Sequence, residues 1–517
     1  MSVLSIVDIE TLRAQSAPLP CTVAAFTSAD DFKSPNNNRK PLAKNLDHHY
    51  SVESRRFSGS ALKKAASVKS TRSIISLGTG RPTPDYYPWD LVSFQGFSRA
   101  GETRIGAKFK SHNGSNGHSS APSCQSSTKQ DEGYNLALAL NYGHGVGSPH
   151  LLRFITEHTE LVHNPAYSNW GTCLTVGTTS ALEIAFRIFC DRGDTILTEE
   201  YTYPGTIEAA GLLGLNIQAM RLDFDGVNDT YLKKLLDTWN LSCGPKPRVL
   251  YTIPCGQNPT GATQSLERRH KILQIAEEHD LIIFEDDPYF FLRLGGVSED
   301  TESSTAAGGV CSYLSLDTSG RVVRFDSASK ILAPGMRAGW VVANSSIIEK
   351  FIAYSEVSTV AVSGPVQLML CKLLDESWGH RGFFSWLDHL SLQYRSRRDL
   401  LLDACERFLP RDICSWVSPD YGMFLWVKLD WSRHPRFRNQ TSHKNLIGAL
   451  ADIENNLLTL AFKNGVQVTK GSLFHCNKSP SGELHFRLTF AAAVKEDLGE
   501  GVRIFAEAVK YEFLIEQ

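Results

Sequence analysis

From about Leu136 onward, apolar residues follow two periods in turn. Short apolar runs predict strands at Cys173–Val176, Thr195–Thr198, Val249–Ile253, Leu281–Phe284 and Arg321–Phe325. Between them the apolar spacing widens to three and four. One predicted helix carries Leu151, Leu152, Phe154 and Ile155 and ends before Asn164-Pro165. A second carries Leu182, Ala185, Phe186 and Phe189 and stops at Asp191-Arg192-Gly193-Asp194; a third spans Gln264–His279. Short apolar strands alternating with helices predict an α/β fold, a three-layer sandwich whose mostly parallel sheet is covered on both faces. In such folds ligands collect at the C-terminal ends of the strands.

The pattern changes on either side of this region. From about Leu373 a long helical stretch leads to the apolar run Gly422–Leu429, a helix near Leu457–Phe462, a strand at Gly465–Val468 and another at Leu484–Phe490. This mixture predicts a smaller α+β domain over 373–517, beside a large domain over 136–372. Residues 1–50 are polar and punctuated by proline and asparagine, which predicts a flexible N-terminal extension. Residues 51–135 read as an arm and small-domain segment. It holds a predicted strand at Ile74–Leu77 and a Gly/Pro-rich loop from Gly78 to Trp89. Within it, 108–130 is rich in serine, glycine and asparagine and is expected as a disordered insertion.

Composition narrows the function class. The chain has 517 residues, 42% hydrophobic and 21% charged, with a net charge of −2. Near-neutral charge gives no basis for a nucleic-acid partner. No apolar run approaches the roughly 18–20 residues that span a bilayer. Neither a secretory leader nor a C-terminal sorting tripeptide is expected, which points to the cytoplasm. Eleven cysteines without a CxxC pair read as reduced thiols, and no metal site is expected.

The densest chemistry lies in Arg324–Trp340. A short strand runs into Ser327-Ala328-Ser329-Lys330, and Arg337 follows seven residues after the lysine. An amine beside hydroxyls and a fixed cation suits pyridoxal phosphate (PLP), which needs an amine for its aldehyde and a clamp for its phosphate. Alone, the stretch equally describes a solvated loop lysine. PLP also needs an acid at its ring nitrogen, donors at its ring oxygen, a phosphate cradle and a cation for the substrate carboxylate. Gly177-Thr178-Thr179-Ser180, between a strand and a helix, offers free N–H groups and hydroxyls to a phosphate, or is a plain N-cap. Asn258, in Pro254–Gly261, is an amide donor at a sharp turn, or part of an ordinary turn. Asp286 follows a strand and fits the ring nitrogen, or is an acidic turn; Tyr289 and Tyr203 are candidates for the ring oxygen and ring face. Arg487 lies in an apolar strand, where a charge needs a partner, either an internal carboxylate or a substrate's.

The order of these pieces resembles the fold-type I PLP-dependent aminotransferases (class I/II), in the branch of fungal aromatic-amino-acid and kynurenine/2-aminoadipate aminotransferases. The matching stretches are LGTGRPTPDYYPWD, YGHGVGSPHLL, VGTTSALE, IPCGQNPTGAT, FEDDPYFFL, FDSASKILAPGMRAGW, YGMFLW and LHFRLTF. The resemblance covers Ser51 to the C-terminus, interrupted by Lys108–Gln130. It implies that Lys330 bonds the cofactor aldehyde and shuttles the proton, and that Asp286 pairs with the ring nitrogen. Tyr289 and Asn258 then bind the ring oxygen, and Tyr203 stacks on the ring. Thr178, Thr179, Ser327, Ser329 and Arg337 hold the phosphate. Tyr142 reaches the cofactor or substrate of a neighbouring subunit, Arg487 takes the α-carboxylate, and Gly80 and Asn258 line the substrate pocket. Thr79, Arg81 and Lys470 depart from the family pattern and are expected near that pocket.

The resemblance implies a homodimeric transaminase working by a ping-pong mechanism, with an aromatic amino acid as donor and 2-oxoglutarate as acceptor. A 2-aminoadipate or kynurenine donor is the near alternative, and a PLP-dependent lyase of the same fold is another. A regulatory PLP-binding module is the non-enzyme alternative; the N-terminus offers it no helix-turn-helix.

Overall fold

The computed structural model describes residues 4–66, 80–96, 124–295, 310–437, 445–476 and 482–515. The predicted strand Ile74–Leu77, Gly78, Thr79 and the 108–123 part of the predicted insertion lie outside the described residues. Two compact units divide the chain: Met1–Ile188 with Thr301–His389, and Phe189–Asp300 with Leu390–Gln517.

In the first unit, strand Gly339–Asn344 lies antiparallel between Trp170–Thr175 and Val322–Ser327. All three are buried at every position. Fully buried branched side chains in such strands contribute roughly 1.5–3 kcal/mol each. Helices Pro149–Val162 and Ser345–Val357 pack on this sheet. Pro149 occupies the first turn of its helix, where its missing N–H is harmless. Register places Thr175, Gly339 and Ser327 in one row. The loops after Thr175 and Ser327, and the one before Gly339, therefore emerge at the same sheet end.

In the second unit, four parallel strands run in the order Ile282–Asp286, Val249–Thr252, Thr195–Glu199, Asn216–Met220. Helix Pro204–Leu213 connects the last two; it starts on proline and ends on Gly214 in the left-handed conformation (φ +71°). Helix Leu266–Glu278 connects the first two, capped by the Ser265 hydroxyl, which accepts from Arg268 N. The same unit carries an antiparallel sheet of Cys414–Trp416, Phe424–Leu429, Leu484–Thr489 and Thr469–Lys470. Helices Leu446–Lys463 and Leu498–Glu512 share its apolar core.

Three expectations are corrected. The N-terminal segment, expected to be flexible, is held in place. Helix Ile6–Gln15 sends Arg13 to Glu157 and Asp375, and Ser34 donates to the buried Glu160. Its polar residues satisfy buried acids, a pairing that composition does not reveal. The 124–130 part of the expected insertion is not disordered: Cys124–Thr128 pairs residue for residue with Leu91–Gln95. The predicted strand Gly465–Val468 is a helix end. Gly465 turns at φ +97° and Val466 N bonds back to Ala461 O, so strand pairing starts only at Thr469. Among the described residues, no helix is long and apolar enough to cross a membrane.

Candidate active site

The first unit gathers the lysine and the anion-binding groups. Ser327 ends its strand and caps the single helical turn Ala328–Ile331, its hydroxyl accepting from Ser329 N at 3.1 Å. Lys330 rides on this turn, half-buried. The turn is pinned by Trp386 Nε1, which donates to Ile331 O at 2.7 Å. A 3-10 turn, Pro334–Met336, then delivers Arg337 in the left-handed region (φ +46°), where Nη1 donates to Pro334 O. Its guanidinium lies against Gly177: a Cβ added there would sit 2.7 Å from Arg337 Nη2. Gly177 (φ +78°) immediately precedes helix Thr178–Phe189. Arg337 and the free N–H groups of Thr178 and Thr179 thus share one helix N-terminus. Peptide dipoles and a guanidinium aimed at one place favour an anion such as a phosphate.

The second unit gathers the ring- and carboxylate-binding candidates. Asp286 ends its strand and is 7% exposed. Its Oδ2 accepts from the hydroxyl of buried Tyr251 at 2.6 Å. Burial and the neighbouring Asp286 charge hold the Tyr251 phenol well above its ordinary range, so it remains a donor. Tyr289 is buried and raised in the same way, by burial first and by Asp286 next, with Arg487 opposing. Tyr203 heads helix Pro204–Leu213, its ring lying over Gly205, where a Cβ would approach Cε1 to 2.5 Å.

Arg487 Nη1 donates to Asn258 Oδ1 at 2.7 Å. Its guanidinium lies 4.3 Å from the ring centre of Phe424 and 4.6 Å from that of Phe474. Burial pulls its pKa down, offset in part by Tyr289. The internal ion pair that sequence left open is not formed: among the described residues no carboxylate pairs with Arg487, and its buried Nε has no partner. A desolvated cation held by aromatic faces and an amide suits an external carboxylate.

Behind Asn258 lies a buried frame. Glu199 accepts from Thr252 Oγ1 (2.7 Å), Ile253 N (3.0 Å) and Gln257 Nε2 (3.0 Å). Gln257 Nε2 also donates to Tyr201 O, while its Oε1 accepts from Thr260 N. One amide thus fixes the turn bearing Asn258 to the stretch just before Tyr203. Burial raises Glu199 to about 7. Fully buried Arg269 holds the other side through Pro254 O and Gln264 O.

Two further expected site residues lie at the surface of the first unit. Tyr142 is 60% exposed, and Gly80 is exposed with open space around it. Lys470 does not face Arg487. Thr469 pairs with Arg487, so Lys470 lies on the opposite sheet face, where its Nζ donates to Asn455. Tyr251, Phe424, Phe474, Glu199 and Gln257 escaped the sequence reading. Gln257 adjoins Asn258 in the chain; Tyr251, Phe424 and Glu199 meet their partners through strand register, and Phe474 reaches Arg487 from the 3-10 turn Gly471–Phe474.

The donor set fits PLP. The first unit offers an amine, hydroxyls, a helix N-terminus and an arginine; the second offers a buried acid, phenols, an amide and an arginine that no described carboxylate pairs with. The family model for aminotransferase class I and II matches residues 120–505. The chain is 41% identical over 495 residues to the aminotransferase swnA of Arthroderma benhamiae, covering 94% of each chain. It is 36% identical over 484 residues to an aromatic amino acid aminotransferase of Schizosaccharomyces pombe, covering 91% of this chain and 98% of that one. The crystal structure of aminotransferase Aro8 from Candida albicans matches with a TM-score of 0.81 at 35% identity, covering 92% of this chain and all of the other. That likeness agrees with the predicted α/β fold, a large, mainly parallel sheet with a smaller C-terminal sheet. The chain therefore belongs to the class I and II aminotransferases, transaminases whose cofactor is PLP.

Proposed function

We propose that this protein moves the amino group of an aromatic amino acid to 2-oxoglutarate in a ping-pong reaction, with the site residues in the roles the resemblance implies. PLP, when bound, supplies an electron sink that stabilises charge developing at the substrate Cα. Lys330 Nζ would hold the cofactor aldehyde until the substrate amine displaces it, and the freed amine would then take up the proton lost from the substrate Cα. Asp286 keeps the ring nitrogen protonated, Tyr289 and Asn258 donate to the ring oxygen, and Tyr203 covers the ring face. Thr178, Thr179, Ser327, Ser329 and Arg337 hold the phosphate. Arg487 orients the α-carboxylate that donor and acceptor share, which lets one site serve both halves of the reaction. In this reading the protein is a cytoplasmic homodimer, with Tyr142 serving the site of the neighbouring subunit.

The observation that carries the reading is Arg487, stacked on Phe424 and Phe474, bonded to Asn258 and unpaired with any described carboxylate. Aromatic relatives support the donor class. The test is a panel of amino acids added singly to the loaded protein. Aromatic donors are expected to bleach the yellow lysine-bound cofactor, and 2-oxoglutarate to restore it. Bleaching by 2-aminoadipate or kynurenine in preference would reassign the donor; no bleaching by any amino acid would refute transamination. Lys330→Ala is expected to abolish turnover while leaving the apoprotein's thermal unfolding within a few degrees of wild type.

A further inference from the structure

The assignment of Asp286 leaves open what keeps that carboxylate ionised and correctly aimed in a buried place. A carboxylate out of water tends to take up a proton, because burial penalises the charged form. At the cofactor's ring nitrogen a neutral Asp286 would defeat its purpose, since the proton belongs on the ring.

The parallel register supplies an answer. Tyr251 pairs with Phe284 on the neighbouring strand, and Asp286 lies two residues further along, on the same face. A diagonal of this kind spans roughly 7–8 Å between Cα atoms, within reach of a long aromatic side chain but not of serine or threonine. The phenol bridges it, with Tyr251 Oη donating to Asp286 Oδ2 at 2.6 Å. Tyr251 is wholly buried on a strand with every position buried, so water cannot substitute for its hydroxyl. Acceptance of an O–H at one oxygen stabilises the ionised carboxylate and sets its plane.

We propose that Tyr251 is a positioning residue for the cofactor: its hydroxyl holds Asp286 ionised and oriented, so that Asp286 keeps the proton on the PLP ring nitrogen. The inference rests on the assignment of Asp286 given above. Tyr251 acts only through that aspartate. The raised phenol pKa agrees with this, because Tyr251 remains a donor across the working pH range.

The test measures PLP affinity of full-length apoprotein by equilibrium dialysis between pH 6 and 9, for wild type, Tyr251→Phe, Asp286→Asn and the double variant. Loss of a hydrogen bond to a charged group predicts that Tyr251→Phe binds PLP about ten- to a hundredfold more weakly at pH 6. Without the phenol, Asp286 is protonated at low pH and ionises as pH rises. The ratio of variant to wild-type Kd is therefore expected to shrink toward pH 9. In the Asp286→Asn background, Tyr251→Phe is expected to weaken binding no further. Asp286→Glu keeps the charge but moves it off the phenol, and is expected to show the same pH-dependent weakening should the phenylalanine variant fold poorly. A ratio near one, a ratio independent of pH, or equal weakening in the Asp286→Asn background would overturn the role of Tyr251. Wild-type PLP affinity in Asp286→Asn would instead overturn the assignment of Asp286 itself.

Discussion

At the scale of single residues, two ionisable side chains of the second unit lead to separate tests, half-buried Arg487 and fully buried Glu199. Arg487 presents a planar fork between two rings, so lysine is not its equivalent. Arg487→Lys is expected to raise the KM of amino-acid donor and oxo-acid acceptor together, roughly tenfold or more in kcat/KM. Steady-state kinetics varying each substrate in turn would check this, and an effect on one substrate alone would contradict a shared carboxylate site. Glu199 makes a separate, pH-dependent contribution. Burial raises its pKa from 4.5 to about 7, so the folded state retains a proton that the unfolded chain gives up. The associated stability is fully present below about pH 4.5 and lost as pH rises through 7, amounting to about 3 kcal/mol. Urea unfolding of apoprotein should therefore show wild type losing about 2–3 kcal/mol more than Glu199→Gln between pH 5 and 8. Equal losses would mean that Glu199 is ionised throughout.

At the scale of elements, the row Thr175, Gly339, Ser327 explains why distant motifs emerge together in the first unit. Gly177 is where that convergence is tightest. Alanine there must adopt φ +78° and push against Arg337, a strain of about 1–2 kcal/mol before any displacement. Gly177→Ala is expected to weaken PLP binding to apoprotein roughly tenfold, because the arginine and the helix N-terminus can no longer close on one phosphate. Equilibrium dialysis would measure it, and unchanged affinity would separate this glycine from the cofactor. Elements were legible in the sequence where periodicity was strong. The strands at 195, 249, 282 and 322 lie within a residue or two of expectation. Gly339–Asn344 was absorbed into the lysine motif, and Cys124–Thr128 was hidden by polar composition. Each owes its strand form to a partner strand.

At the scale of the whole molecule, the N-terminal segment shows how little composition says about order once buried acids are available to pair with. Arg13→Ala would leave Glu157 with His380 and Asp375 with Arg153, a partial compensation. The expected loss is about 1–3 kcal/mol of unfolding free energy, smaller than for a fully orphaned buried charge, and chemical denaturation of the apoprotein would register it. The chemical parts were written locally: the Ser-x-Ser-Lys turn, the glycine before a helix, the Asn-Pro turn and the acid after a strand are each defined by neighbours in the chain. Local order therefore sufficed to name Lys330, Asn258, Asp286 and Arg487 as candidates. Which alternative each of them takes did not follow, because every deciding contact is remote in sequence. Asn258 and Arg487 are 229 residues apart, and Tyr251 and Asp286 are 35 apart. Strand register brings Tyr251 within reach of Asp286, and Asn258 meets Arg487 from a turn outside the strands, so neither contact belongs to any one segment. Chain order thus determined the kind of chemistry and the candidate residues for it. Tertiary structure alone decided that Arg487 pairs with an amide and two rings rather than with any described carboxylate, and that Asp286 has a phenol behind it.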